Sequence, residues 1–282
     1  MDIDTLLLPF QFAFMQNAFL MACIVSVPTA VLSCFLVVKG WALMGDAVSH
    51  AVLPGIVIAH IINIPLLVGA FVAGMICALA TGFISENSRV KSDTVMGVVF
   101  AGMFALGIVL FVAVETDIHL DHILFGNMLG VDRQEIWSTG LLSLVVSLAL
   151  FLAFKDLILQ SFDPAHARVS GLPVRLLHYG LLALLSLTVV ATLNAVGLIL
   201  AIGLLIAPGA IAYLLTRRFS QMVWFSVLIC ISAMLFGTYA SFFLDSAPAP
   251  TIILTLTLVF ILVFSAKAVA RLWTHRRTPS DV

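Results

Sequence analysis

Charged side chains are scarce in this sequence of 282 residues. Only 10% of its residues are Asp, Glu, Lys or Arg, whereas a soluble domain usually contains about 25%. Hydrophobic residues make up 62% of the chain, and the mean hydropathy is +1.21. These polar side chains are too few to cover a soluble globule, so we expect the lipid bilayer to be the solvent. The formal net charge of −1 gives no basic surface for nucleic acid, and we expect no nucleic-acid partner.

Several motifs that would indicate other functions are also absent. The sequence has no GxxxxGK[ST] phosphate loop, no HExxH zinc motif and no GxSxG elbow, so we do not expect an enzyme. The first 38 residues contain no Lys or Arg. A cleavable signal peptide begins with a basic segment, so we expect the first apolar run to remain as a span. Four cysteines without CxxC spacing are interpreted as small core residues: Cys23, Cys34, Cys77 and Cys230.

Long apolar runs are abundant. A membrane-spanning helix needs about 20 apolar residues, and polar residues divide the chain into nine runs of roughly that kind. The runs are 11–37, 46–62, 65–84, 94–114, 136–154, 177–196, 198–215, 222–243 and 251–269. The second run is short, so eight spans remain an alternative. The sequence therefore predicts an all-α polytopic membrane protein with a single transmembrane domain over residues 1–282.

Basic residues indicate the orientation, because Lys and Arg favour cytoplasmic connections. They occur in every second connection: at Lys39, at 89–91, in 155–176, at 217–218 and in the carboxyl-terminal tail. This alternation predicts a cytoplasmic carboxyl terminus and an outside amino terminus. The segment 155–176 is too polar to span and too apolar for a linker, so we expect it to dock on a cytoplasmic partner.

The stretch "WALMGDAVSHAVLPG" places Asp46 and His50 four residues apart in an apolar run. This spacing puts both side chains on one face of a helix, where a carboxylate and an imidazole can share one divalent cation. Two ligands are half of a coordination sphere, and a second copy across a dimer axis would supply the rest. The alternative is structural, with Asp46 capping the second span and His50 bonding a neighbouring helix.

Two further features stand out. The outer connection 115–135 contains a cluster that could bind a metal weakly, receive a docking protein or simply be solvated: Asp117, His119, Asp121 and His122. Pro208 and Gly209 lie deep in the seventh run, which predicts a kinked helix, because proline removes a backbone hydrogen bond. The sequence leaves open whether that helix serves packing or gating.

With these residues in view, the chain resembles the ABC-3 family, the permeases of bacterial ATP-driven importers of manganese, iron and zinc. The resemblance covers nearly the whole chain. Five stretches carry it: "KGWALMGDAVSHAVLPG" (39–55), "SDTVMGVVFAGMFALG" (92–107), "HILFGNMLGV" (122–131), "DPAHARVSGLP" (163–173) and "VGLILAIGLLIAPGAIAYLL" (196–215).

The resemblance implies a permease of the vitamin B12 and siderophore importer fold in the bacterial inner membrane. It implies four partners: a cytoplasmic ABC-type ATPase that uses the ATP, a second permease subunit, identical or related, an extracytoplasmic metal-binding protein, and membrane lipid. No permanently bound cofactor is implied. Mn²⁺, Fe²⁺ or Zn²⁺ passes through, with manganese and iron favoured. The family's metal ligands fall on Asp46 and His50, and its ATPase-coupling positions fall on Asp163, Ala167 and Gly171.

Two other transport functions remain as alternatives at this stage. An ion-coupled secondary metal transporter would need no ATPase, and the docking-type segment 155–176 argues against it. A permease for a metal chelate or for cobalamin would favour a pathway lined only by apolar residues, and Asp46 with His50 argues against that.

Overall fold

Helices make up the regular structure in the part of the chain that the computed structural model describes, namely residues 3–41, 43–113, 126 and 128–276. The first five helices are α1 (Ile3–Gln11), α2 (Ala13–Lys39), α3 (Met44–Ile61), α4 (Leu66–Asn87) and α5 (Ser92–Ala113). A short 3₁₀ turn follows at Met128–Gly130. The remaining helices are α6 (Arg133–Leu152), α7 (Phe154–Phe162), α8 (Pro164–Val169), α9 (Val174–Leu215), α10 (Phe219–Leu244) and α11 (Pro248–Arg276).

Nine of the described segments are long and apolar enough to cross a membrane, which confirms the predicted nine spans over the eight-span alternative. Two of them, Val174–Leu193 and Val196–Leu215, belong to the single long helix α9. The helix breaks at Gly197, whose φ of 77° lies in the left-handed region that favours glycine. A Cβ on the neighbouring Gly126 would overlap the Gly197 backbone, so the chain passes close to this break.

Helices α2 and α3 form the centre of the bundle, and the other spans surround them. In the most apolar window of each span, 72% of the α3 residues are buried, against 17% for α5 and 11% for α11. Lipid tails give apolar helices little hydrophobic drive to associate, so close packing of small residues has to hold the centre together. The buried residues of α3 include several of that kind: Gly45, Ala47, Ser49, Ala51, Gly55 and Ala59.

The crossing of α3 and α4 shows this packing most clearly. A Cβ added to Gly55 would overlap the carbonyl group of Gly69, and a Cβ added to Gly69 would overlap that of Gly55. The methyl groups of Ala59 and Ala73 lie beside the same crossing. The two backbones are therefore in direct contact, which only glycine at both positions allows.

The second half of α9 contains Pro208, where the sequence predicts a kink; the non-helical backbone angles of α9 lie at Gly197 instead, and the kink at Pro208 stays a prediction. The Ser33 hydroxyl of α2 donates a hydrogen bond to the Ile206 carbonyl at 3.1 Å and accepts one from the Gly209 N–H at 2.9 Å. These contacts flank Pro208, which is itself buried. Ser33 thus supplies hydrogen-bond partners for the backbone on both sides of the proline. The proline segment packs inside the subunit, against α2.

The cysteine interpretation holds for three of the four residues. Cys34, Cys77 and Cys230 are buried, but Cys23 on α2 is exposed. The prediction was wrong for Cys23 because an apolar run gives no sign of which face of a membrane helix meets lipid and which meets protein.

Replacing Gly55 by alanine should destabilise the protein, because the new methyl group would push α3 away from α4. Overpacking of this kind costs about 1–3 kcal/mol, so both the monodisperse yield in detergent and the thermal midpoint should fall. Gly180→Ala in α9 is the matched control, since a Cβ there has no heavy atom within 4 Å. Equal midpoints for the two variants would show that α3 and α4 are not in such close contact.

Candidate functional site

The candidate pair lies at the start of α3. Leu43 is the N-cap residue of this helix, and Asp46 lies in its first turn. Asp46 is therefore not the cap, so the structural alternative for its carboxylate loses its main support. One turn later, His50 brings its Nε2 atom to 3.4 Å from Asp46 Oδ1. The predicted convergence of the two side chains on one helix face is present.

The imidazole of His50 is held by packing. Its ring centroid lies 5.3 Å from that of Phe100 and 5.2 Å from that of Phe104, both on α5. Its Nδ1 atom is buried and has no hydrogen-bond partner among the described residues. On the same turn, the buried Ser49 hydroxyl donates to the Gly45 carbonyl at 2.7 Å. Among the described residues, no hydrogen bond to Nδ1 fixes the imidazole ring, so its position is set by packing against the rings of Phe100 and Phe104.

The distance between His50 Nε2 and Asp46 Oδ1 is longer than a good direct hydrogen bond. A good hydrogen bond spans about 2.7–3.2 Å, and the Nε2–Oδ1 separation is 3.4 Å. The pair could therefore receive a metal ion without breaking a good hydrogen bond between its two side chains.

The pair supplies only part of a coordination sphere. Within the described part of the chain, no group of three or more His, Cys, Asp or Glu side chains is arranged to hold a metal ion. Both side chains are partly accessible, Asp46 at 36% and His50 at 23%. Further ligands could therefore approach from outside this chain, from water or from another subunit.

The packing of α3 also shows how deep the pair lies. A Cβ on Gly45 would lie 3.1 Å from the Leu205 side chain, and Leu205 is near the middle of the span Val196–Leu215. Phe100 and Phe104, which contact His50, are near the middle of α5. The short helix α3 thus begins well inside the bundle, and the pair is level with the middle of neighbouring spans.

The second predicted site, at Asp117, His119, Asp121 and His122, lies outside the residues that the structure describes. Metal binding and partner docking by this cluster stay predictions.

The predicted docking segment forms the short helices α7 and α8. Asp163 is the N-cap of α8, and its Oδ1 accepts a hydrogen bond from the His166 N–H at 2.9 Å. Ala167 is fully buried. Gly171 has a φ of 80° and donates to the Arg168 carbonyl, while the Leu172 N–H bonds to the Ala167 carbonyl. This is the Schellman arrangement, which ends a helix at a left-handed glycine.

The three motif positions each have a structural role in α8. Asp163 caps its first turn, Ala167 is its buried residue, and Gly171 ends it. The exposed positions between them are different residues. Val169 is 87% exposed, and His166 and Arg168 are exposed as well. Sequence reasoning missed this exposed set, as it missed Phe100 and Phe104. The sequence did hold a signal for the exposed residues. Ala167 is a small apolar residue between His166 and Arg168, so a helix that buries it turns the neighbouring side chains outward.

Comparison with known proteins identifies relatives over nearly the full length. Residues 11–267 match the ABC 3 transport family. The chain is 55% identical over 277 residues to the "Chelated iron transport system membrane protein YfeD" of Yersinia pestis, covering 97% of this chain and 90% of that protein. It is 40% identical over 276 residues to the "Manganese transport system membrane protein MntB" of Synechocystis, covering 96% and 90%.

Two solved structures share the fold. The structure described as "PsaBC from Streptococcus pneumoniae in complex with Fab" matches with a TM-score of 0.83 and 35% identity, covering 93% of this chain and 95% of that one. An inward-facing putative metal-chelate type ABC transporter matches with a TM-score of 0.71 over 96% of this chain and 90% of that one. At 17% identity, this second match bears on the fold alone.

Proposed function

This chain belongs to the ABC 3 transport family and is the membrane permease subunit of an ATP-driven metal importer, and we propose that Asp46 and His50 form its half of the ion's binding site. ATP hydrolysis belongs to a separate subunit. Family membership removes the alternative of an ion-coupled secondary transporter. The observation that carries the proposal is the open pair of Nε2 and Oδ1 atoms 3.4 Å apart, level with the middle of the neighbouring spans.

The transported ion is a divalent transition metal, and we favour Mn²⁺ or Fe²⁺. A carboxylate with an imidazole accepts manganese, iron and zinc, so the pair alone does not choose among them. The relatives named for chelated iron and for manganese transport support the first two. Sites with nitrogen and oxygen ligands bind Mn²⁺ more weakly than the competing first-row metals. The choice of the transported metal then depends on the protein that delivers the ion as well as on the permease.

The pair meets the main physical difficulty of transport, which is the loss of hydration inside the bilayer. Moving an ion from water into hydrocarbon without new partners is prohibitive. Asp46 offers negative charge and oxygen, and His50 offers nitrogen, so together they replace part of the water shell. Two ligands per chain, rather than a closed cage within one subunit, also leave the ion able to depart, as conduction requires.

A second permease subunit completes the pathway. Asp46 and His50 are partly accessible, at 36% and 23%, so ligands from outside this chain can reach them. A second subunit, an identical copy or a related chain, would place its own pair opposite Asp46 and His50. The two half-sites together would give four protein ligands, a number that suits a first-row cation.

The segment α7–α8 is the proposed contact with the cytoplasmic ATPase. Asp163, Ala167 and Gly171 fix the shape of α8, and the exposed side chains of His166, Arg168 and Val169 would make the contact. With this contact, the segment α7–α8 and the carboxyl terminus would face the cytoplasm, and the permease would lie in the bacterial inner membrane. An extracytoplasmic metal-binding protein would deliver the ion at the opposite end, where the cluster at Asp117, His119, Asp121 and His122 is predicted to lie.

Asp46→Asn and His50→Ala should each abolish most metal uptake, because each removes one of two ligands. Loss of supporting groups outside the ligand set already costs metal sites about 10–100-fold, so we expect at least about a tenfold fall. Uptake of ⁵⁴Mn and ⁵⁵Fe by proteoliposomes containing the whole transporter measures this.

His60→Ala is the matched control, because His60 lies on the same helix but at its exposed outer end. It should transport normally. All three variants should still purify with the ATPase. Normal uptake by both Asp46→Asn and His50→Ala would disprove the assigned ligands, while loss of assembly would point to a structural role.

Val169→Asp should uncouple the permease from its ATPase, because it puts a desolvated charge at the centre of the proposed contact. We expect co-purification of the ATPase with the permease to fall at least about tenfold, as for other buried charge changes in interfaces. Val90→Asp is the control, an exposed valine on another connection predicted to be cytoplasmic. Equal co-purification by both variants would exclude Val169 from the contact.

A further inference from the structure

A large cavity lies at the end of the bundle that carries α7. Its volume is about 730 Å³. It is bounded by the ends of α2 and α7, by the corner between α9 and α10, and by α11. The side chains that matter below are Arg217, Arg218 and Lys267 on the polar side, and Val38, Phe219 and Met222 on the apolar side.

The cavity is strongly cationic. Arg217 and Arg218 come from the corner between α9 and α10, and Lys267 comes from α11. No Asp or Glu among the described residues lines the cavity. Among the residues that the structure describes, none of these three cations forms a salt bridge. Three positive charges with no partner in the described structure are suited to a ligand with negative charge.

The first turn of α10 adds backbone donors to the same place. The helix begins at Phe219, and its N-cap residue, Arg218, makes no side-chain capping hydrogen bond. The first N–H groups of a helix have no partner within the helix. Together with the positive end of the helix dipole, they favour an anion such as a phosphate group. The cations and the helix end thus point to the same ligand chemistry.

The helix α10 also lines a second, apolar cavity. Phe219 and Met222 of α10 line the cationic cavity, and the neighbouring residues Val223 and Trp224 line the second cavity of about 530 Å³ between α2, α6 and α10. The walls of this second cavity are almost entirely apolar. A cationic cavity and an apolar cavity lined by the same helix match a molecule with an anionic head and hydrocarbon chains.

We propose that Arg217, Arg218 and Lys267 bind the phosphate headgroup of an anionic phospholipid from the cytoplasmic leaflet. Basic cavities between membrane helices on the cytoplasmic side are typical sites for such headgroups. A lipid is favoured over free phosphate because α10, which begins at the cations, also lines an apolar cavity that could take hydrocarbon chains. It is favoured over an acidic protein surface because Tyr213, 60% exposed at the cavity wall, has the ring type typical of the membrane interface.

The site is independent of the metal pair but close to the docking segment. Ser161 and Phe162, at the end of α7, also line the cavity, and Phe162 packs edge-on against Phe219 with ring centroids 5.8 Å apart. A bound headgroup would therefore hold the end of α7 against the α9–α10 corner. Lipid composition would then affect how firmly the segment α7–α8 is held.

The test measures lipid binding to the whole transporter in neutral detergent. Phosphatidylglycerol, phosphatidylcholine and inorganic phosphate are added separately, and binding is followed by native mass spectrometry and by the thermal midpoint. The variant is Arg217→Gln/Arg218→Gln/Lys267→Gln. The matched control, Arg89→Gln/Lys91→Gln/Arg175→Gln, removes three exposed cations from other connections predicted to be cytoplasmic.

We expect phosphatidylglycerol to bind and to raise the midpoint of the wild type, and the other two additions to do neither. The variant should bind phosphatidylglycerol about 10–100-fold more weakly, because each basic residue near the surface contributes severalfold. The control variant should bind it like the wild type.

Three results would overturn the proposal. Equal lipid binding by the variant and the wild type would exclude these cations. An equal effect of inorganic phosphate would show an anion site that does not need a lipid. If the wild type shows no preference for phosphatidylglycerol and the variant loses its ATPase, the cluster is a protein contact. Metal uptake through Asp46 and His50 is measured separately, so either proposal can fail alone.

Discussion

The structure depends on one constraint of the bilayer: every backbone N–H and C=O group in hydrocarbon needs a partner inside the protein. Regular helices meet it without help, so irregular backbone has to be placed where protein surrounds it. The break at Gly197 lies against the backbone at Gly126. The segment at Pro208 lies against Ser33, whose hydroxyl both donates and accepts. The bundle therefore keeps its irregular segments in the centre, around α2 and α9.

The same constraint explains how an acid and a histidine come to lie inside an apolar bundle. Helix α3 is short and begins beside Leu205, so its first turn is level with the middle of other spans. The glycines of α3 and α4 allow α3 to sit this deep, because they let the backbones touch. Asp46 and His50 remain partly accessible there, at 36% and 23%. The depth of Asp46 and His50 thus follows from the position of the first turn of α3, which lies beside Leu205.

Much of this was predictable from the sequence, and the limits have physical causes. The nine spans follow from apolar length, and the approach of Asp46 to His50 follows from helix periodicity. The depth of the pair did not follow, because it depends on the contact of Gly45 with Leu205, far away in the chain. The role of Phe100 and Phe104 was hidden for the same reason. In an apolar chain every helix face looks alike, so contacts between helices leave little trace in the sequence. The exposed Cys23 is one result.

The proposed site, with two ligands per chain, has a consequence for the order of events in transport. A lone permease offers an incoming ion one carboxylate and one imidazole, and water must supply the rest of its shell. Only when two subunits face each other can protein ligands replace most of that water. Because the His50 ring is held by Phe100 and Phe104 of α5 and not by a hydrogen bond, a shift of α5 would change the distance between His50 and Asp46. Motion of one helix at the open face could thus tighten or loosen the site, which links helix movement to binding and release of the ion.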